Sequence, residues 1–203
     1  MKLKSGLKKI SAERIRQELL KLLVAPRAVD TLKIMASSGI LKTIIPCTDD
    51  WRVFKRLPLD PILRLYVLAQ KPEQLKDVLR LSNEQALRLE ALAAAPELSP
   101  QFRETEQRVL LYQMGVDAWV DAVHVSWAKS RAALGGSKWR AMLELPLHWP
   151  IPKFPVTGKD LIGAGLSAGP ELGTILNELE DWWVASDFAP TRAELLQRIG
   201  HGN

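Results

Sequence analysis

Ser11-Ala12-Glu13-Arg14-Ile15-Arg16-Gln17-Glu18-Leu19-Leu20-Lys21-Leu22-Leu23 is the stretch on which the fold turns. Ile15, Leu19, Leu22 and Leu23 recur at spacings of four, three and one, which gathers them on one side of a helix of about 3.6 residues per turn. Ser11 offers a side-chain oxygen to the unpaired N–H groups of the first turn. Lys9, Arg16 and Arg27 lie mostly off the apolar stripe. Pro26 then suits the first turn of a second helix carrying Val29, Leu32, Ile34 and Met35, and Gly39 suits its left-handed end. Residues 1–39 thus read as a helical hairpin.

The same punctuation continues outward, while alternating β-branched runs with hairpin dipeptides are nearly absent. Asp60-Pro61 opens a helix with Leu63, Tyr66, Val67 and Leu68, and Pro72 opens a shorter one ending near Leu81. Ser82 and Gln85 form a capping-box pattern ahead of Leu87, Leu89 and Leu92. A further helix is expected from Ser99-Pro100 to Gly115. Another, capped by Asp117, carries Trp119, Val123, Trp127 and Leu134 and ends at Gly135-Gly136. Trp119 and Trp127 sit on its apolar face, which suits core packing better than base stacking. From Leu145 the run LPLHWPIPKFP holds four prolines and is read as an extended connection. Beyond it, Thr157 caps a short helix, Gly169-Pro170 starts a longer one through Trp183, and Thr191 with Glu194 caps the last. The expected fold class is all-α: a hairpin over residues 1–39, a multi-helix body over 40–144, and a proline-rich connection with a smaller helical tail over 145–203.

With 203 residues, 47% hydrophobic and 25% charged, the chain has the balance of a folded protein with a real core. Its single cysteine, Cys47, rules out an internal disulfide or a thiolate zinc cluster. No apolar run approaches the roughly 18 residues of a membrane span, and MKLKSGLKKIS is too polar for a signal peptide, so a cytoplasmic location is expected. The net charge of +5 is unevenly placed: residues 1–33 hold nine Lys/Arg against Glu13, Glu18 and Asp30. Such an end fits a phosphate-binding surface, although a solvated helix face has the same composition.

Catalytic constellations are missing. His124, His148 and His201 stand apart, Asp49-Asp50 is an adjacent pair in a loop, and neither a G-x-S-x-G elbow nor a Walker loop occurs. No catalytic and no metal-binding residue is expected in this chain. A binding constellation remains. Gly158, Gly163, Gly165, Gly169 and Gly173 cluster with Lys159 and the helix start at Gly169-Pro170. Glycine admits either close packing of short helices or close approach of a phosphate backbone to free amides.

Ser11–Leu23 resembles the I-S-x-E-R-I-x-x-E-L-x-K-L-L signature of bacterial class II CCA-adding tRNA nucleotidyltransferases and the related bacterial poly(A) polymerases. Gly158-Lys159-Asp160-Leu161, with Gly165, Gly169-Pro170 and Gly173, is similar to the G-K-D-L-x-x-x-G-x-x-x-G-P-x-x-G motif near the C-terminus of that family, and Leu81-Ser82-Asn83 fits between them. The resemblance implies the end of the neck, the body and the tail of a poly(A) polymerase C-terminal-like region that grips tRNA or another RNA and positions its 3′ end. The magnesium-binding carboxylates and the ATP or CTP site would belong to an N-terminal head and neck, in cis or in trans, whose motifs this sequence lacks. The chain alone is expected to be inactive, as a fragment or a split gene product. The RNA contacts expected are Lys8, Lys9, Arg16, Lys21, Arg27, Lys159 and Gly169. Glu13, Arg14, Glu18, Gly158, Asp160, Gly165, Pro170 and Gly173 match the motifs, and among them Arg14 and Glu18 stand four apart, a spacing that suits a pair holding the neck together as well as it suits RNA contact. Asp160 would repel phosphate and more naturally holds its turn or pairs with Lys159 or an arginine. The competing function is a helical protein-interaction scaffold that binds no RNA.

Overall fold

The computed structural model describes residues 10–130, 132 and 136–200. Ser11 accepts a hydrogen bond from the Arg14 amide at 3.3 Å and starts α1 (Ala12–Leu23), which buries Leu19 and Leu23 and half-buries Ile15 and Leu22. The hairpin then closes with α2 (Ala28–Ser37), and Gly39 takes its left-handed φ of 71°. Two details differ from the sequence reading. Pro26 lies in the turn, and the helix begins at Ala28. Ile34 is 67% exposed, because it stands about 200° around the helix from the fully buried Leu32 and cannot share its face.

All the described secondary structure is helical apart from one isolated antiparallel bridge, Cys47 with Ala69. After α3 (Leu41–Ile44) come α4 (Trp51–Arg56), α5 (Pro61–Leu68), a 3-10 turn (Pro72–Gln74), α6 (Leu75–Leu79), α7 (Asn83–Ala94), α8 (Glu104–Met114), α9 (Val116–Lys129), α10 (Ser137–His148), α11 (Gly158–Gly163), α12 (Pro170–Ala185) and α13 (Arg192–Gly200). Asp50 caps α4 through Val53 N at 3.1 Å, so this member of the Asp49-Asp50 pair serves a helix start. Asp60 caps α5 with Pro61 in first position, and Ser82 and Gln85 make the reciprocal capping box of α7. Ala86, Leu89 and Leu92 form the buried row of α7, and Leu87 is 64% exposed.

Other boundaries also shift. α8 begins at Glu104, where the Glu106 carboxylate accepts from Arg103 N at 2.7 Å, and not at Ser99-Pro100. α9 follows after Gly115 alone (φ 76°), which places Asp117 within its first turn. It ends at Lys129; Leu134 and Gly135 lie outside the described residues. The largest correction is at Leu145. α10 runs through Pro146 to His148, and Trp149 N still reaches Leu145 O at 2.8 Å. Proline has no N–H for the carbonyl four residues back, which is that of Met142. The indole N–H of buried Trp119 donates to this carbonyl at 2.8 Å in place of the absent helical bond. Extended chain begins only after the helix.

The chain divides into two compact units, residues 1–100 with 116–143, and 101–115 with 144–203. The first has a core that includes Leu23, Leu32, Leu41, Phe54, Leu63, Leu65 and Leu89. The second packs Val156, Leu161, Leu179, Trp183 and Leu195, with Tyr112, Phe154 and Phe188 against them.

Candidate nucleic-acid interface

Four arginines in the first unit are committed to the protein's own frame. Arg64, 8% exposed, donates to the carbonyls of Leu23 (2.7 Å), Pro58 (3.0 Å) and Leu57 (3.3 Å), and so fixes the C-terminal end of α1 where carbonyls lack helical donors. Arg52 bonds Lys129 O and Ser130 O, each at 3.1 Å, and Arg56 bonds Trp127 O at 3.2 Å and Ala132 O, which together cap the end of α9. Arg88 bridges Asp121 (2.6 and 2.8 Å) and Asp60 (2.8 Å), linking α7 to α9 and to the start of α5. Part-buried His124 stands near this cluster, and burial pushes its imidazole below the usual histidine value against the pull of Asp121 and Asp60. Sequence alone cannot separate such internal cations from those left for a ligand.

On α1 the outward face carries Glu13, Arg14, Gln17, Glu18 and Lys21. Lys21 pairs with Glu18 at 3.0 Å, so Glu18 is taken by its neighbour one turn on and not by Arg14. Arg14 and Glu18 instead flank a groove of about 240 Å3 whose apolar wall includes Ile10, Ile15, Leu22, Met35 and Ile44. Arg16 is half-buried and donates to the carbonyl of Arg80, tying α1 to the turn after α6. Glu13 stands 3.9 Å from the Arg80 guanidinium, and its carboxyl is held below the ordinary value by a backbone N–H, by Ser11, and then by Arg80 and Arg16. Arg27 is exposed at the entry to α2. Lys8 and Lys9 lie outside the described residues, as does His201.

The glycine segment belongs to the second unit. Thr157 N and Oγ1 donate to Asp160 Oδ2 at 2.7 and 2.8 Å, and Arg192 donates to Asp160 Oδ1 at 2.7 Å. Asp160 therefore holds its turn and pairs with an arginine. The Arg192 hydrogen bond, followed by those of Thr157, brings its carboxyl down to about 2. A Cβ on Gly158 would come within 2.9 Å of Leu172 Cδ2, whereas Gly163, Gly169 and Gly173 face open space. Close packing thus accounts for Gly158 alone among them. Gly165 needs glycine for another reason, a φ of +100°. Gly169 is extended at φ 173°, and Pro170 takes the first turn of α12 beside Glu171, an exposed carboxylate that already complements the helix dipole. Lys159 is exposed. Among the described residues no three His, Cys, Asp or Glu side chains converge as a metal site, and no helix is long and apolar enough to cross a membrane.

Arg80 went unnoticed in the sequence. It takes φ 51° and ψ 52° at the end of α6, where glycine or asparagine usually announces a left-handed stop. Its only signal is its place before the matched Leu81-Ser82-Asn83.

The outward face of α1, the hairpin and the start of α4 fall within residues 1–52, which match a family model described as the "probable RNA and SrmB-binding site of polymerase A". Among individual proteins, the chain is 28% identical over 206 residues to the zebrafish (Danio rerio) mitochondrial CCA tRNA nucleotidyltransferase 1, covering 96% of this chain and 47% of that protein. It is 41% identical over 52 residues to the Homo sapiens protein of the same name, 26% of this chain and 12% of that one. An uncharacterized 28 kDa protein of Rhodospirillum rubrum is 35% identical over 80 residues, 36% of this chain and 31% of that protein. The chain therefore spans about half the length, at most, of these relatives.

Proposed function

We propose that this chain is the RNA-binding C-terminal region of a CCA-adding tRNA nucleotidyltransferase or poly(A) polymerase of the bacterial class II type, which positions an RNA 3′ end for nucleotide addition by a head carried elsewhere. The observation that carries the reading is the match of residues 1–52 to an RNA-binding model, on a hairpin whose apolar stripe is buried and whose polar face is turned outward. Magnesium and ATP or CTP would act at that head. Recognition here is by backbone charge and shape, because the grooves of duplex RNA offer side chains little sequence to read. Lys8, Lys9, Lys21 and Arg27 are the cations given to phosphate, with Lys159 and the open amide region near Gly169 as a second, local contact.

A protein-docking function has one observation in its favour, the apolar groove beside α1, which would take an amphipathic partner helix. Titration of the chain with a fluorescent tRNA acceptor minihelix over a range of salt separates the two. RNA binding should weaken linearly on a log-log plot, and neutralising Lys8, Lys9, Lys21 and Arg27 singly to glutamine should lower the slope by roughly 0.7 to 0.9 for each true contact. No salt-dependent binding by the wild type would overturn the RNA reading and leave the groove as the functional surface.

A further inference from the structure

We infer that Arg80 is a phosphate-contact residue of the RNA surface that begins on α1, presented by a left-handed turn whose carbonyl Arg16 holds. This rests on the RNA-binding reading above. The turn is an unusual use of arginine. Leu81 N bonds Lys76 O at 3.1 Å and Arg80 N also reaches Lys76 O, which closes α6 in the manner of a glycine stop, yet the residue at the left-handed position carries a long side chain. A Cβ there crowds the following carbonyl, so the conformation persists only because the surroundings impose it.

Those surroundings are the Lys76 carbonyl, which accepts both amides, and a side chain of the helix that matches the RNA-binding model. The Arg16 guanidinium holds the Arg80 carbonyl, and the Glu13 carboxylate stands 3.9 Å from Arg80 Nε. The Arg80 side chain remains 71% exposed. Its terminal nitrogens make no hydrogen bond among the described residues, which contrasts with the internal Arg52, Arg56, Arg64 and Arg88. The Glu13 contact is long and solvated, and exposed pairs of that kind are weak, so an incoming phosphate can replace it. A planar guanidinium with free donors suits phosphate oxygens, which it can grip through two N–H groups.

The test uses the full chain and a fluorescent acceptor minihelix, titrated at several salt concentrations with wild type, Arg80→Gly and Arg80→Lys. Glycine relieves the left-handed strain, so Arg80→Gly should fold with an unchanged or higher melting temperature. Its log-log salt slope should fall by roughly 0.7 to 0.9, which makes affinity about sixfold weaker when carried from 1 M to 0.1 M salt. Arg80→Lys should keep most of the slope. A folded Arg80→Gly with the wild-type slope overturns the assignment and leaves RNA binding standing, as does a loss of affinity at constant slope, since that loss would come from shape and not charge. A wild type that binds no RNA removes both readings.

Discussion

Replacing Trp119 with phenylalanine tests how a proline is carried inside α10. Trp119 is fully buried, and its indole N–H supplies the Met142 carbonyl that Pro146 cannot serve. Phenylalanine leaves that carbonyl buried without the indole donor, at a cost of about 1 to 3 kcal/mol. The smaller ring adds a cavity cost of about 1 to 2 kcal/mol, below the full truncation values for aromatic residues. In a Pro146→Ala background the restored amide at 146 can donate to Met142 O. The polar part of the loss then vanishes and only the cavity part remains. Urea denaturation of wild type, Trp119→Phe, Pro146→Ala and the double variant, followed by far-UV circular dichroism, gives the coupling directly. The expected coupling is about 1 to 3 kcal/mol, with the double variant more stable than the sum of the singles. A coupling below about 0.5 kcal/mol would refute the compensation.

Asp121→Asn removes the principal carboxylate from Arg88 in a site where Asp121 is 9% exposed, and should cost about 2 to 3 kcal/mol in urea denaturation, the lower end for a buried pair because Arg88 is partly solvated. His124 has a lowered pKa in the folded state, so the unfolded chain binds the extra proton first as pH falls below about 6.5; stability should decline with acidification from that point until the folded-state pKa is passed. Thermal melts across that range should show the decline in wild type, and His124→Gln should remove this component. Gly165→Ala, at φ +100°, should lower the melting temperature by the equivalent of about 1 kcal/mol, whereas Gly173→Ala, inside α12 and facing open space, should raise it by the equivalent of about 0.5 to 1 kcal/mol. Equal effects at the two glycines would contradict the backbone account.

Capping chemistry carries most of what the sequence shows. Ser11, Asp60 with Pro61, and Ser82 with Gln85 announce real helix starts because the signal is local: a side-chain oxygen answers an amide two or three residues on. Ile34 and Leu87 are apolar and yet exposed, because tertiary contact chooses one row of a helix among several. Pro146 fails for a different reason. The local rule against proline is correct, and a donor 27 positions earlier in the chain answers it.

The candidate interface divides in the same way. The amino-acid sequence by itself establishes that residues 1–33 are cation-rich, that the chain is helical, and that the motifs of α1 and of residues 158–173 are present, since each depends on residue types at short spacing. Which cations remain for a ligand depends on carbonyls and carboxylates far along the chain, at Leu23 for Arg64, Lys129 for Arg52 and Asp121 for Arg88. Arg80 is the limiting case. Its left-handed turn is closed on Lys76 O, and its carbonyl is held by Arg16 more than 60 residues away, so only the folded chain determines that it stands exposed beside α1.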